Sequence, residues 1–203
     1  MRLVTYKYLF VFSFFQLLVS FGVPVSLFAQ GKIQQFDERI LNDLAAQRTP
    51  EKTAFFRFIS DSYPYGDVGV PAGLFIGGVI GHDQQMRQNA LYVGSSTVLS
   101  YALTTLIKHI VKRPRPFVRN INFVPVYRAQ NSSFPSGHTS STFATATALS
   151  IAYPKWYVIA PSYLWAGAVG YSRMYLGVHY PTDVAGGIVV GAGSAASTLF
   201  LKK

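Results

Sequence analysis

From residue 68 onward the chain alternates long apolar segments with short polar ones. The apolar segments cover roughly 68–81, 90–107, 139–153, 156–171 and 184–200, and each reads as a helix. They are rich in Gly, Ala, Ser and Thr, small residues that let helices approach closely, as in a membrane bundle. They are also somewhat short for spans, because a bilayer core takes about 20 residues. A compact soluble bundle of helices buried on all sides fits the same pattern.

Upstream, residues 31–67 are polar. Phe36, Ile40, Leu41 and Leu44 have helical spacing, and Thr49-Pro50-Glu51 reads as a helix start with Thr49 as cap and Pro50 in the first position. Phe55, Phe56, Phe58 and Ile59 form the apolar side of that helix, and Asp61 to Gly66 reads as a loop. The expected fold is all-α, a bundle of about six helices.

The first residues add a targeting signal. Arg2 and Lys7 precede an apolar run from Tyr8 to Phe28, and a small residue, Ala29, follows it. This describes a secretory signal cut between Ala29 and Gln30. The run is also about long enough to span a bilayer, so an uncleaved anchor competes with cleavage. Both readings send the chain into the export pathway. The expected organisation is a signal peptide or membrane anchor over 1–29 and one helical domain over 30–203.

Composition changes the picture in two places. Cysteine is absent from the 203 residues, which excludes disulfides, thiol chemistry and cysteine-ligated metal. The net charge is +10 and unevenly placed: no acid occurs from Gln84 to Thr182, and Asp183 is the only one after Asp83. A basic, acid-free middle asks for an anionic partner, whether nucleic acid, anionic lipid or a phosphorylated small molecule. Export, and the lack of interleaved aromatic and basic residues, argue against nucleic acid.

Three stretches carry candidate chemistry. Lys108-His109-Ile110-Val111-Lys112-Arg113-Pro114-Arg115-Pro116 closes the 90–107 helix with four cations. Cations suit a helix C-terminus, but the two prolines hold Arg115 extended, and the loop to Phe134 adds Arg119 and Arg128 without any carboxylate. Such a cluster, lacking counter-charges, waits for an external anion. Next, Pro135-Ser136-Gly137-His138 opens the 139–153 helix. Ser136 and Gly137 are expected to present free backbone N–H groups at the positive end of the dipole, with His138 at the rim. Last, Ser172-Arg173 and His179 to Asp183 lie in one twelve-residue stretch. If the chain turns helical at Pro181, one turn brings His179 and Asp183 within reach. A carboxylate on one ring nitrogen leaves the other free to attack, and Arg173 supplies a planar fork for phosphate.

Together, 108–116, 135–138 and 172–183 resemble the three-part signature of the type 2 phosphatidic acid phosphatase and vanadium haloperoxidase superfamily, with every position matched. The resemblance implies that His179 is the nucleophile, forming a phosphohistidine, and that Asp183 orients it. It implies that His138 is the general acid, and that Lys108, Arg115, Arg173, Ser136 and Gly137 bind the phosphoryl oxygens. Three cations then take the place of Mg²⁺, and one nearby carboxylate is too few for a cage of hard oxygen ligands, so neither metal nor cofactor is expected.

The motifs should fall on one face of the bundle, with the 82–89 loop, Pro154-Lys155 and Lys202-Lys203 on the other. The leading expectation is a transmembrane phosphatase acting on a lipid phosphate or pyrophosphate at the outer, periplasmic face of a bacterial inner membrane. The alternatives are a soluble periplasmic acid phosphatase of broad specificity, a vanadium haloperoxidase, for which the chain looks short, and a non-enzymatic basic membrane protein.

Overall fold

The computed structural model describes residues 27–120 and 122–202. The expected leader over 1–29 lies almost wholly outside them. The chain divides into two compact units, 1–36 and 37–203. The described part of the first, residues 27–36, is helical.

The described residues form α1 (Leu27–Ala46), α2 (Pro50–Asp61), α3 (Tyr63–Ile80), α4 (Gln84–Val111), the single turn α5 (Pro116–Arg119), α6 (Gly137–Ala152), α7 (Trp156–Tyr175) and α8 (Pro181–Ser197). A 3₁₀ turn, Leu199–Leu201, follows. The fold is all-α, as expected, and several boundaries differ from the sequence reading. The polar residues 84–89 belong to α4, because Asp83 caps it, accepting from the Met86 N–H at 2.9 Å. Its far end is set by Lys112, which takes a left-handed conformation (φ 49°) ahead of Pro114. The loop expected over 61–66 shrinks to Ser62 alone, which ends α2 and begins α3. Pro64 falls in the first turn of α3, where its missing N–H removes nothing.

At the centre stands α6, packed against α3, α4, α7 and α8. Its sequence is small and hydroxylated, and most of the hydroxyls toward its N-terminal half are satisfied in place. Thr142 Oγ1 donates to the His138 carbonyl at 2.9 Å, and Thr145 Oγ1 to Asp67 of α3 at 2.8 Å. Ser140 and Thr145 also pair across to Thr104 and Thr97 of α4 at 2.7 and 2.8 Å.

The approach of α8 to α6 is closer still. A Cβ on Gly191 would stand 2.3 Å from the Ser140 carbonyl oxygen, and one on Gly187 2.8 Å from that of Ser136. Both contacts are to backbone, so no rotamer change relieves them. Gly191→Leu should therefore destabilise the protein by about 1–3 kcal/mol or more, read as a fall in thermal midpoint in detergent. Gly167→Leu on α7, where nothing lies within 4 Å, is the control. Equal shifts for both variants would mean that this close packing is not the constraint.

The outer surface is apolar. Val98, Tyr101, Leu106 and Ile110 of α4, Ile76 and Ile80 of α3, and Trp156 and Leu164 of α7 are all exposed. Among the described residues, two segments, Gln84–Arg119 and Pro181–Leu201, are long and apolar enough to cross a membrane. The three motifs gather at one end of the bundle, beyond the C-terminal ends of α4 and α7 and the N-terminal ends of α6 and α8. Near the other end, Lys202 Nζ donates to the Ile151 carbonyl at 2.7 Å.

Candidate active site

The loop 176–180, between α7 and α8, carries His179. Gly177 lies in the left-handed region (φ 73°), where a side chain would be strained, and a Cβ there would also meet Phe123 at 2.7 Å. Arg48 ties down the loop's approach, donating to the carbonyls of Tyr175 at 2.8 Å and Val124 at 2.6 Å. Leu176, Val178 and Tyr180 pack with Leu41, Phe117 and Phe123 into one apolar cluster. The residues on either side of His179 are thus buried, and so is its ring, 2% exposed.

As the sequence predicts, α8 begins at Pro181, and Asp183 sits in its first turn, accepting from the Tyr180 N–H at 2.9 Å. Ser133 Oγ donates to the same Oδ2, whereas Oδ1 accepts from Arg113 Nη1 at 2.6 Å. His179 Nδ1 lies 3.5 Å from Asp183 Oδ2, a charge-pair distance rather than a good hydrogen bond. Catalytic hydrogen bonds are often this long before substrate binds. On the other side of the ring, Arg115 Nη1 stands 3.3 Å from Nε2. A guanidinium only donates, so this contact assigns the lone pair to Nε2 and the proton to Nδ1, facing the carboxylate. Burial pushes the His179 pKa down to about 3; Asp183 opposes that shift, and Arg115 and Arg173 add to it. The imidazole is therefore neutral near pH 7, as a nucleophile must be.

The cations converge from separate elements. Lys108 comes from the last turn of α4, Arg115 from the cap of α5 in the expected extended conformation (φ −73°, ψ 160°), and Arg173 from the last turn of α7. All three are buried, and among the described residues none makes a salt bridge to a carboxylate. They are held instead by neutral acceptors. Lys108 Nζ donates to the Ser132 carbonyl, and Arg115 to the carbonyls of Asn131 at 2.7 Å and Val178 at 2.6 Å. Arg173 reaches the Ser60 hydroxyl and lies 5.5 Å from the Tyr127 ring centre, and its buried Nε has no acceptor. Net positive charge therefore remains for a ligand anion.

Pro135 precedes α6 rather than opening it; Ser136 is the cap and Gly137 the first helical residue. The expectation of two free N–H groups is corrected here, because the Ser136 N–H donates to the Asp183 carbonyl at 3.0 Å. The anion-binding capacity shifts to the first-turn donors from Gly137 onward. It also includes the Ser136 hydroxyl, which accepts from Thr139 Oγ1 at 2.8 Å and keeps its own proton to give. His138 stacks on Tyr63 of α3 with ring centres 3.8 Å apart, within electrostatic range of His179, Arg173, Arg115 and Lys108.

The reading of 108–116 as a basic cluster without counter-charges is also corrected in one member. Arg113 pairs with two buried carboxylates, Asp183 and Asp37. Arg119 and Arg128 stay exposed, with Arg128 5.8 Å from the Phe117 ring centre. Sequence reasoning missed Asp37, Ser133, Asn131, Arg48 and Tyr63, whose roles arise only from contacts across the fold.

At one end of an α-helical bundle, a buried histidine–carboxylate pair faces three buried cations that make no salt bridge to a carboxylate among the described residues. This arrangement has the charge and geometry to take a tetrahedral oxyanion. The chain belongs to the PAP2 superfamily, whose family model matches residues 89–202, a span containing all three motifs. It is 33% identical over 106 residues to the undecaprenyl-diphosphatase BcrC of Bacillus subtilis, covering 52% of this chain and 54% of that protein. It is 42% identical over 101 residues to the decaprenylphosphoryl-5-phosphoribose phosphatase of Mycolicibacterium smegmatis, covering 50% and 53%. The matches thus span about half the length of these curated relatives. The crystal structure of Aquifex aeolicus LpxE superimposes with a TM-score of 0.63 at 28% identity, over 81% of this chain and 95% of that one. A transmembrane PAP2-type phosphatidylglycerolphosphate phosphatase from Bacillus subtilis shares the fold, with a TM-score of 0.68 at 23% identity over 97% and 94%.

Proposed function

We propose that the protein is a metal-independent phosphatase that hydrolyses a phosphate or pyrophosphate ester of a membrane lipid through a phosphohistidine on His179. The observation that carries this reading is the placement of His179 Nε2, 3.3 Å from Arg115 Nη1 with Asp183 behind the ring. A phosphoryl group held by Arg115 lies where Nε2 attacks.

The Nε2 lone pair forms the N–P bond as the bond to the leaving oxygen breaks. Burial, and then Arg173 and the other nearby cations, push the His138 pKa down to about 2, so His138 takes up its proton as the phosphate dianion enters and offsets those cations. It then gives that proton to the leaving oxygen, and Asp183 stabilises the charge that develops on the His179 ring. Lys108, Arg115, Arg173, the Ser136 hydroxyl and the Gly137 N–H hold the equatorial oxygens, whose charge is spread in the transition state. Water, deprotonated by His138, then attacks phosphorus; the N–P electron pair returns to Nε2 and orthophosphate leaves. Among the described residues no three His, Asp or Glu side chains cluster as metal ligands would, and the carboxylates near the site are taken up by Arg113.

A lipid substrate is supported by the apolar outer surface and the two membrane-length segments, and by the lipid-linked substrates named for the relatives. With a leader over 1–29 directing export, the catalytic end faces the periplasm and Arg87, Lys155 and Lys202 face the cytoplasm. The test is phosphate release from a panel of lipid and soluble phosphates, with and without EDTA. Lipid phosphates should be hydrolysed at a rate unchanged by the chelator. Abolition by EDTA with rescue by Mg²⁺ or Zn²⁺ would overturn the metal-free mechanism, and a preference for soluble esters would overturn the lipid reading.

A further inference from the structure

We propose that Asp37 and Arg113 are positioning residues for the nucleophile, with Arg113 aiming the Asp183 carboxylate at His179 and Asp37 sharing the charge that Arg113 brings. The inference rests on the reading of His179 as nucleophile. Asp37, on α1, lies outside the span matched by the family model, 89–202.

The contacts link Asp37, Arg113, Thr182 and Asp183. Arg113 Nη1 donates to Asp183 Oδ1 at 2.6 Å and to Thr182 Oγ1 at 2.8 Å, and Nη2 to Asp37 Oδ2 at 2.7 Å. Asp37 Oδ1 accepts the Thr182 N–H at 3.0 Å, and Oδ2 accepts the Thr182 hydroxyl. The Tyr180 ring centre lies 4.1 Å from the Arg113 guanidinium carbon. Asp37 and Asp183 are both 0% exposed. Asp37 therefore does for α8 what a local cap does elsewhere, placing a carboxylate on a first-turn N–H from another helix.

Two consequences follow for His179. The first is geometric. With Oδ1 held by Arg113, and Oδ2 by Ser133 and the Tyr180 N–H, the Asp183 carboxylate cannot rotate, and Oδ2 stays turned toward Nδ1. The second is electrostatic. Asp37, Arg113 and Asp183 carry −1, +1 and −1, so the set shows His179 one net negative charge. Without Asp37 the sum is zero, and Asp183, facing an Arg113 no longer shared, holds the Nδ1 proton less well; without Arg113 it is −2, and Asp183 holds that proton better. The other groups that face His179 are Arg115, Arg173 of α7 and His138 of α6, with Lys108 of α4 near Asp183. None of these is changed in the test.

The experiment uses the full chain in detergent with nitrophenyl phosphate, and measures kcat, KM and the pH dependence of kcat/KM beside thermal unfolding. Asp37→Asn should lower kcat about tenfold with little change in KM, and move the acid limb to lower pH. Arg113→Gln should move that limb to higher pH, each shift being up to about one unit, because Arg113 acts on His179 through Asp183, and Asp37 through Arg113. The double variant should return the limb toward that of the parent. Arg113→Lys keeps the charge but loses the fork, so kcat should fall while the limb stays in place. If Arg113→Gln does not fold, Asp37→Asn and Arg113→Lys carry the comparison.

Limbs that stay put in Asp37→Asn and Arg113→Gln, or move in the same direction, would overturn the inference and reduce the pair to a structural tie. So would a loss of kcat that only tracks the loss of folded protein. An inactive parent would instead sink the phosphatase reading itself.

Discussion

His179→Ala is expected to bring turnover to background on every phosphate ester, whatever its leaving group. The expectation rests on Nε2 of the proposed nucleophile: it faces Arg115 at 3.3 Å, its ring is buried, and its low pKa keeps the lone pair available at neutral pH. Removing the ring leaves Lys108, Arg115 and Arg173 where they are, because backbone carbonyls and Ser60 hold them. The variant should therefore still bind phosphate or vanadate while forming no covalent adduct. The measurement is acid quench of enzyme mixed with labelled substrate, followed by assay for acid-labile, base-stable protein phosphate. The parent should show it and the variant should not. Turnover of nitrophenyl phosphate by His179→Ala at more than a small fraction of the parent rate would remove this residue from the nucleophile's role.

The second large effect belongs to His138→Ala, and it should depend on the substrate. General acid catalysis typically contributes about 10²- to 10⁴-fold. A lipid alkoxide is a poor leaving group and needs the proton, so an alkyl phosphate should suffer the full loss. A nitrophenolate departs without it and should suffer much less. The stack on Tyr63 is lost with the ring, but that loss is common to both substrates and cancels in the ratio. Equal losses on the two esters would show that His138 acts on something other than the leaving group.

The parts of the site governed by short spacing were legible in the sequence. The Pro181 start of α8 and the four-residue interval from His179 to Asp183 needed only helix geometry. The extended Arg115 followed from its flanking prolines, and the Thr49 cap from local chemistry, with the Lys52 N–H donating to its hydroxyl at 3.3 Å. What escaped were pairings made by the fold. The acid-free window from Gln84 to Thr182 is real, but the counter-charges of Arg113 stand just past one edge of it and far beyond the other, at Asp183 and Asp37. The Ser136 N–H was misjudged for the same reason, since its acceptor lies 47 positions ahead, at Asp183. Local reasoning finds a helix N-terminus but cannot know which of its donors a neighbouring helix will use. The burial of Asp37 likewise has no signature in a stretch that reads as polar surface.

The glycine contact between α6 and α8 also limits how such an enzyme can change its preferences. With Gly187 and Gly191 seated against backbone oxygens, and the Ser136 N–H joined to the Asp183 carbonyl, the two histidine-bearing ends behave as one casting. A larger head group cannot be admitted by prising them apart, because every displacement there also moves nucleophile relative to acid. Room for a different substrate has to come from the parts bolted around the casting: the loop 120–135 and the junction of α2 with α3. Those same parts hold the cradle, through Asn131 on Arg115, Ser133 on Asp183, Ser60 on Arg173 and Tyr63 on His138, so a change made there to admit another head group is also felt by the groups around the phosphate.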